Sequence, residues 1–128
     1  METLLRLFPS TLSPDVHVRR ASEQELHQLE SQPGMLAASF QLVASPEVDT
    51  SIRQAAAIYV KNRISRTWDA SLARGFSDAP SAVSDQDKEV VRSGLLPTIA
   101  SLPPTLRVHI ASAMYSICLL YTSDAADE

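Results

Sequence analysis

Apolar residues recur along this chain at helical spacing in six separate stretches, each closed by proline, glycine or a run of small polar residues. The first places Leu4, Leu5, Phe8 and Leu12 at i, i+1, i+4 and i+8. It predicts a helix from Glu2 to Leu12 with one apolar stripe and a kink at Pro9. Ser13-Pro14 then suits an N-cap and a first helical turn, after which Val18, Ala21, Leu26 and Leu29 share a face opposite Arg20, Glu23, His27 and Glu30. Pro33-Gly34 ends that helix and opens a third, in which Met35, Leu36, Phe40, Leu42 and Val43 lead to a turn at Pro46. The fourth helix, from Thr50 to Trp68, carries the strongest pattern. It is expected to bury Ile52, Ala55, Ala56, Tyr59 and Val60, and to leave a narrow polar strip, because Gln54, Ile58, Lys61 and Ser65 follow i, i+4, i+7 and i+11.

Residues Asp69 to Ser84 show no sustained period and are rich in Ala, Ser, Asp, Gly and Pro, so they read as an exposed connector. Ser84 through Asp87 resembles a capping box opening a fifth helix with Val91, Leu95, Ile99 and Leu102 on one stripe and Pro97 inside. Leu106, Ile110, Ala113 and Ile117 define a sixth. Three segments are similar to one another: SPDVHVRRAS from Ser13, SPEVDTSIRQAA from Ser45 and LPPTLRVHIAS from Leu102. Each sets a proline at a turn between an apolar helix and an amphipathic one, a helix-turn-helix unit used three times. Three such pairs predict an all-α fold, a right-handed α-solenoid of HEAT-like hairpins at about 2–31, 33–68 and 84–117, with the connector at 69–84. The end faces of a stack lack a neighbour, and Phe8, Ile110 and Ile117 are the expected exposed apolar residues.

Composition supports helices packed on helices: 45% of the 128 residues are hydrophobic, only 5% are aromatic, and there are 3 glycines. A chain of 14.0 kDa allows one core, and a second full domain is not expected. Eleven Lys and Arg against 15 Asp and Glu give a net charge of −4, with no cationic excess to neutralise a phosphate backbone, so direct nucleic-acid binding is not expected. No apolar run reaches the roughly 20 residues of a membrane span, and no basic-then-apolar leader opens the chain. The reading is a soluble, unsecreted chain without membrane contact. Cys118 has no disulfide partner and no metal ligand at zinc spacing.

The last residues, 118–128, read CLLYTSDAADE and leave the apolar rhythm that runs up to Ile117. The string looks like the translation of a transposase mosaic-end adapter, with a genuine, frayed C-terminus as the alternative, so it is set aside as foreign and the third hairpin is expected to be truncated. Without Asp124, Asp127 and Glu128 the 15 acids fall to 12 against 11 bases, and most of the apparent acidity goes.

The stretch from Ala21 to Asp69 carries a family resemblance. Glu25-Leu26-x-x-Leu29-Glu30 is followed by Gln32-Pro33-Gly34, then Ile52-Arg53-Gln54-Ala55-Ala56, then Tyr59-Val60-Lys61-Asn62-Arg63-Ile64, with Trp68 behind. In order and spacing these pieces resemble the importin-beta N-terminal domain, especially the importin-7 and importin-8 type, with weaker likeness from Met1 to about Ile117. The resemblance implies a nuclear transport receptor that shuttles between nucleus and cytoplasm. Its N-terminal repeats would hold the small GTPase Ran in its GTP form, while the full-length parent meets nuclear pore proteins and import cargo. The second helix of each pair would line the concave surface, and Lys61 and Asn62 match the family's Lys-Asn pair. Gln54, Ile58, Lys61, Asn62 and Ser65 are therefore the Ran-binding candidates, and Leu26, Leu29, Ile52, Ala55, Ala56, Tyr59 and Trp68 the repeat-packing residues. Residues Ser65-Arg66-Thr67 and the connector depart from the family pattern, which leaves the third repeat's share of a Ran surface open.

No catalytic arrangement competes with this reading. His17, His27 and His109 lie in different helices without a partner at ligand spacing, and neither a phosphate loop nor a nucleophile elbow is present. No enzyme activity, cofactor or metal is expected. Arg19, Arg20, Glu23 and Glu30 read as a solvated charged face in preference to a docking strip. Ser13-Pro14 and Ser45-Pro46 read as helix caps in preference to phosphorylation sites. The alternative is a general HEAT-repeat scaffold whose partner is unrelated to Ran.

Overall fold

The computed structural model describes residues 2–30, 32–67 and 83–126. Six helices follow in order: α1 (Glu2–Ser10), α2 (Val16–Leu29), α3 (Met35–Ala44), α4 (Thr50–Thr67), α5 (Asp85–Ser101) and α6 (Pro104–Ala126), with no strand among the described residues. They pair as α1–α2, α3–α4 and α5–α6. Between pairs, α3 packs on α5 and α4 on α6, while α1 packs on α4 as well as on its own partner. This is the stacking of a helical-hairpin solenoid. It puts α4 at the centre, with α1, α3 and α6 around it.

Small side chains make that crowding possible. Ala55, Ala56 and Ala57 are buried on successive positions of α4, so helix axes can approach it from three directions. Val60 and Ile64 continue the buried arc, and α3 contributes Leu36, Phe40, Leu42 and Val43. Leu106, Ile110, Ala113 and Ile117 of α6 form the predicted buried stripe, and Val91, Leu95 and Leu102 do the same for the α5 segment. Cys118 and Leu119, which follow Ile117, are exposed, and the α6 backbone runs on to Ala126.

The helix ends depart from expectation in an orderly way. Helix α1 stops at Ser10, and Thr11 N–H donates to the Leu7 and Phe8 carbonyls, leaving Leu12 outside the helix and half exposed. Pro9 sits in the last turn, where its missing N–H costs little. The N-caps after the two Ser-Pro turns are the aspartates that follow. Asp15 Oδ1 accepts from His17 N–H at 2.9 Å and Asp49 Oδ1 from Ser51 N–H at 3.1 Å. An aspartate carboxylate also complements the helix N-terminus electrostatically, which a serine hydroxyl does not. Ser13 supports the first turn by accepting from Asp15 N–H, and Ser45 donates back to Gln41. Ser84 caps α5 as predicted, accepting from Asp87 N–H at 3.2 Å. The Asp87 carboxylate reaches across to accept from Gly34 N–H at 3.1 Å, tying the start of α5 to the start of α3. Gly34 holds φ +94°, a left-handed conformation that disfavours a side chain.

The expected exposed end face is also corrected. Phe8, Ile110 and Ile117 are buried, at 0%, 0% and 5%, while Leu96, Val108 and Tyr115 stand open on α5 and α6. Phe8 is covered because α1 leans on α4, where its ring lies 5.6 Å from that of Tyr59. On α2, Val18 and Ala21 are exposed, and the buried positions are Ser22 and Leu26. Trp68 and most of the connector (69–82) lie outside the described residues.

Helices α3 and α5 come close at Gly94, where an added Cβ would lie 2.7 Å from Phe40 Cε1. Phe40 is 3% exposed and has little room to yield. Gly94→Ala gains about 1 kcal/mol of helix propensity but forces overpacking worth about 1–3 kcal/mol. Its expected net effect is a lower melting temperature by circular dichroism, with Phe40→Leu restoring part of the loss in the double variant.

Candidate functional site

Helix α4 is packed on three sides, and its fourth carries the polar strip. Of the five candidate residues, Gln54, Ile58 and Lys61 are half-buried, and Asn62 and Ser65 are exposed. Two clefts open along this side toward α2. A smaller one, of about 190 Å³, is lined by Phe8, Leu12, Leu26, Ile58, Tyr59 and Asn62 among others. A larger one, of about 550 Å³, is lined by Glu23, Leu26, His27 and Glu30 from the first hairpin and by Tyr59, Asn62, Ser65 and Arg66 from α4. Asn62 belongs to both. Ile58, Asn62 and Ser65 are thus brought together beside α2. Lys61 stands nearer α6, where its ammonium acts on His109, and Gln54 lies toward the N-terminal end of the strip, away from the α2 clefts.

Polar groups inside the packed arc fix this geometry. Arg63 is 2% exposed; its Nη2 donates to the Glu30 carbonyl at 3.1 Å and its Nη1 to the Tyr59 hydroxyl at 3.2 Å. Tyr59 in turn donates to Glu30 Oε1 at 2.8 Å. The last carbonyls of a helix lack intrahelical donors, and Arg63 supplies one to the end of α2 from the neighbouring hairpin. Arg53, 8% exposed, does the same for α3 by donating to the Val43 carbonyl at 3.0 Å. Arg107 donates to the Leu102 carbonyl at 2.8 Å at the end of α5.

Glu30 overturns its expected place on a solvated face. It is 4% exposed, with Oε1 held by Tyr59 and Oε2 3.4 Å from His27 Nδ1. Burial, with the Glu30 charge adding to it and Arg63 opposing it, holds the Tyr59 phenol well above its ordinary value. Tyr59 therefore remains a hydrogen-bond donor at neutral pH. Burial, aided by the Lys61 ammonium, pulls the His109 imidazole below its usual value of 6.5. Charges elsewhere on the strip's surroundings are solvated, such as Arg6–Glu25 at 3.0 Å between exposed side chains.

Sequence reasoning missed Glu30, Arg53 and Arg63 as structural groups. A signal existed for the arginines: both fall within the arc of α4 that also holds Ala56, Val60 and Ile64, where a charge requires a buried partner. Glu30 gave no such signal, because it lies just beyond the last turn of α2 and its burial is caused by α4. Among the described residues, no group of three or more His, Cys, Asp or Glu is placed to hold a metal, and no helix is long and apolar enough to cross a membrane.

Comparison with known proteins bears on the chain as a whole. The sequence model of the importin-beta N-terminal domain matches residues 22–101, from the middle of α2 to the end of α5. The importin beta-like SAD2 homolog of Arabidopsis thaliana is 33% identical over 108 residues, 84% of this chain and 10% of that protein. The probable importin-7 homolog of Dictyostelium discoideum is 35% identical over 92 residues, 72% of this chain and 8% of that protein. Importin-8 of Danio rerio is 27% identical over 115 residues, covering 89% and 11%. The chain therefore spans about a tenth of the length of the curated relatives it matches. Among solved structures, one from work on Kap95p binding, which induces the switch loops of RanGDP to adopt the GTP-bound conformation, aligns with a TM-score of 0.66 at 23% identity. It covers 91% of this chain and 14% of that one, a likeness of fold.

Two measurements check the polar framework. Tyr59→Phe leaves Glu30 Oε1 without its donor and is expected to lower unfolding stability by about 1–3 kcal/mol in urea titration. The His109 imidazole, followed by NMR, should titrate below 6.5 and move up toward it in Lys61→Met. Its depressed value means that the folded state binds the proton less readily than the unfolded one. That contribution to stability is complete above pH 6.5 and is lost as pH falls through the lowered value.

Proposed function

The chain belongs to the importin-beta N-terminal domain family, and from that premise we propose that its hairpins are the Ran-binding arch of a nuclear transport receptor. The observation that carries the proposal is the open side of α4. Every other side of that helix is buried against α1, α3 or α6, so Gln54, Ile58, Lys61, Asn62 and Ser65 form the surface it can offer to a protein partner. The strip combines an aliphatic contact, an ammonium, an amide and a hydroxyl. Such a set suits the mixed carboxylates, carbonyls and apolar side chains on a GTPase surface. The pairing of Kap95p with Ran in a solved relative of the fold supports the choice of GTPase.

In this reading the GTP form of Ran docks along α4, and the contacts of Lys61 and Asn62 set orientation and association rate. The longer receptor would carry import cargo past nuclear pore proteins and move between cytoplasm and nucleus. Binding, with no covalent chemistry, is the whole of the proposed activity.

Nucleotide selectivity tests it. The chain is expected to capture GTP-loaded Ran in preference to GDP-loaded Ran by biolayer interferometry, and equal response to both forms would sink the proposal in favour of a general scaffold. Lys61→Glu should weaken capture about tenfold, chiefly through slower association. An unchanged rate would remove Lys61 from the contact.

A further inference from the structure

The larger cleft between α2 and α4 holds a group that the fold leaves unsatisfied. Glu30 is 4% exposed, yet its Oε2 has no hydrogen-bond partner, while Oε1 accepts from the Tyr59 hydroxyl at 2.8 Å. His27 Nδ1, one turn back on α2, lies 3.4 Å away, on a side chain that is half in solvent and charged only when protonated. Arg66, also on the cleft wall, directs its Nε back to the Asn62 carbonyl at 3.2 Å. A buried carboxylate oxygen without a donor costs free energy unless something in the complete complex supplies one. The cleft, about 550 Å³, is large enough for a long side chain, and Glu23 adds a second acid to its exposed wall.

We infer that this cleft receives a lysine or arginine side chain from the docked protein, whose cation closes on Glu30 Oε2. The inference rests on the reading of α4 as the partner-binding face, since Asn62 and Ser65 of the strip form the cleft's other wall. Three features select a cation over other occupants. The unsatisfied atom is an acceptor, the second wall acid has the same sign, and the aliphatic part of a basic side chain can lie along Leu26. Tyr59 holds the carboxylate through Oε1, and Arg63 anchors both the Tyr59 hydroxyl and the Glu30 backbone carbonyl, so the incoming cation meets a fixed oxygen. Such a contact is desolvated and differs from the solvated pairs at the rim, and its loss acts mainly on dissociation.

The test uses the whole chain and Glu30→Gln, which keeps the side-chain shape and an oxygen for Tyr59 but removes the charge. N-acetyl-arginine methylamide, titrated in the millimolar range, should give saturable NMR shifts at Tyr59 and at the Asn62 amide. The neutral isostere N-acetyl-citrulline methylamide should give none, and Glu30→Gln should abolish the arginine response. Equal shifts with both probes, or an arginine response that survives in Glu30→Gln, would mean that solvent or any polar group serves Oε2, and the inference falls. No saturable arginine response in the wild-type chain overturns it as well. With GTP-loaded Ran, Glu30→Gln should bind at least tenfold more weakly, with faster dissociation, at an unchanged circular dichroism spectrum. Ran binding that is strong and equal in both chains removes the cleft while leaving the proposed function intact. A saturable, Glu30-dependent arginine response without Ran binding removes that function while leaving the cleft.

Discussion

The carbonyl of Glu30 marks the end of α2, and the guanidinium that satisfies it belongs to Arg63 of a different hairpin. A helix terminus cannot be buried with bare carbonyls, so the choice of donor decides how close the next element comes. Here the donor is long and planar, and it also holds the Tyr59 hydroxyl, which holds the Glu30 carboxylate. One buried set of groups thus fixes the end of α2 against the middle of α4. Replacing such a set by apolar residues of equal volume could leave stability unchanged, whereas removing one member leaves the others buried without partners. Its specific consequence is spacing, because α2 is held to α4 by polar contacts at one end while a cleft opens between the two helices.

The same constraint accounts for the shape of the proposed binding face. Helix α4 has alanines where α1, α3 and α6 approach and arginines where neighbouring helix ends need donors. What remains is a strip about one side chain wide, bounded by the clefts toward α2 and by His109 toward α6. A partner that docks there meets rigid backbone, since every other side of the helix is packed. Rigid presentation lowers the ordering cost of association, which is how a face with modest polar chemistry gains affinity.

Helix entry and exit follow a second, simpler rule. After the two Ser-Pro turns, an aspartate supplies the cap, and near the start of α4 and α6 an arginine returns to the end of the preceding helix. The third hairpin replaces the aspartate with Pro103-Pro104 and keeps the arginine, Arg107. The pattern ties turn chemistry to hairpin closure, and Asp87 extends it by joining the start of α5 to the left-handed Gly34. The arginine links close the second and third hairpins, and the Asp87–Gly34 contact joins those two hairpins to each other.

The periodic apolar residues by themselves determined the six helices, their pairing and the stripes of α3 and α6, because a 3.6-residue period reports which side of a helix is covered. They also marked the open strip of α4, including Lys61 and Ser65, since that strip is where the pattern fails to be apolar. The order of motifs around Tyr59 and Lys61 was enough to place the chain in its family. Burial across elements was decided only by tertiary structure. Phe8 is covered because α1 leans on α4, and Glu30 is enclosed because α4 brings Tyr59 and Arg63 to it. A helical wheel contains no information about a neighbour's side chains, so a glutamate just past the end of α2 looks solvated until the helix that buries it is in place.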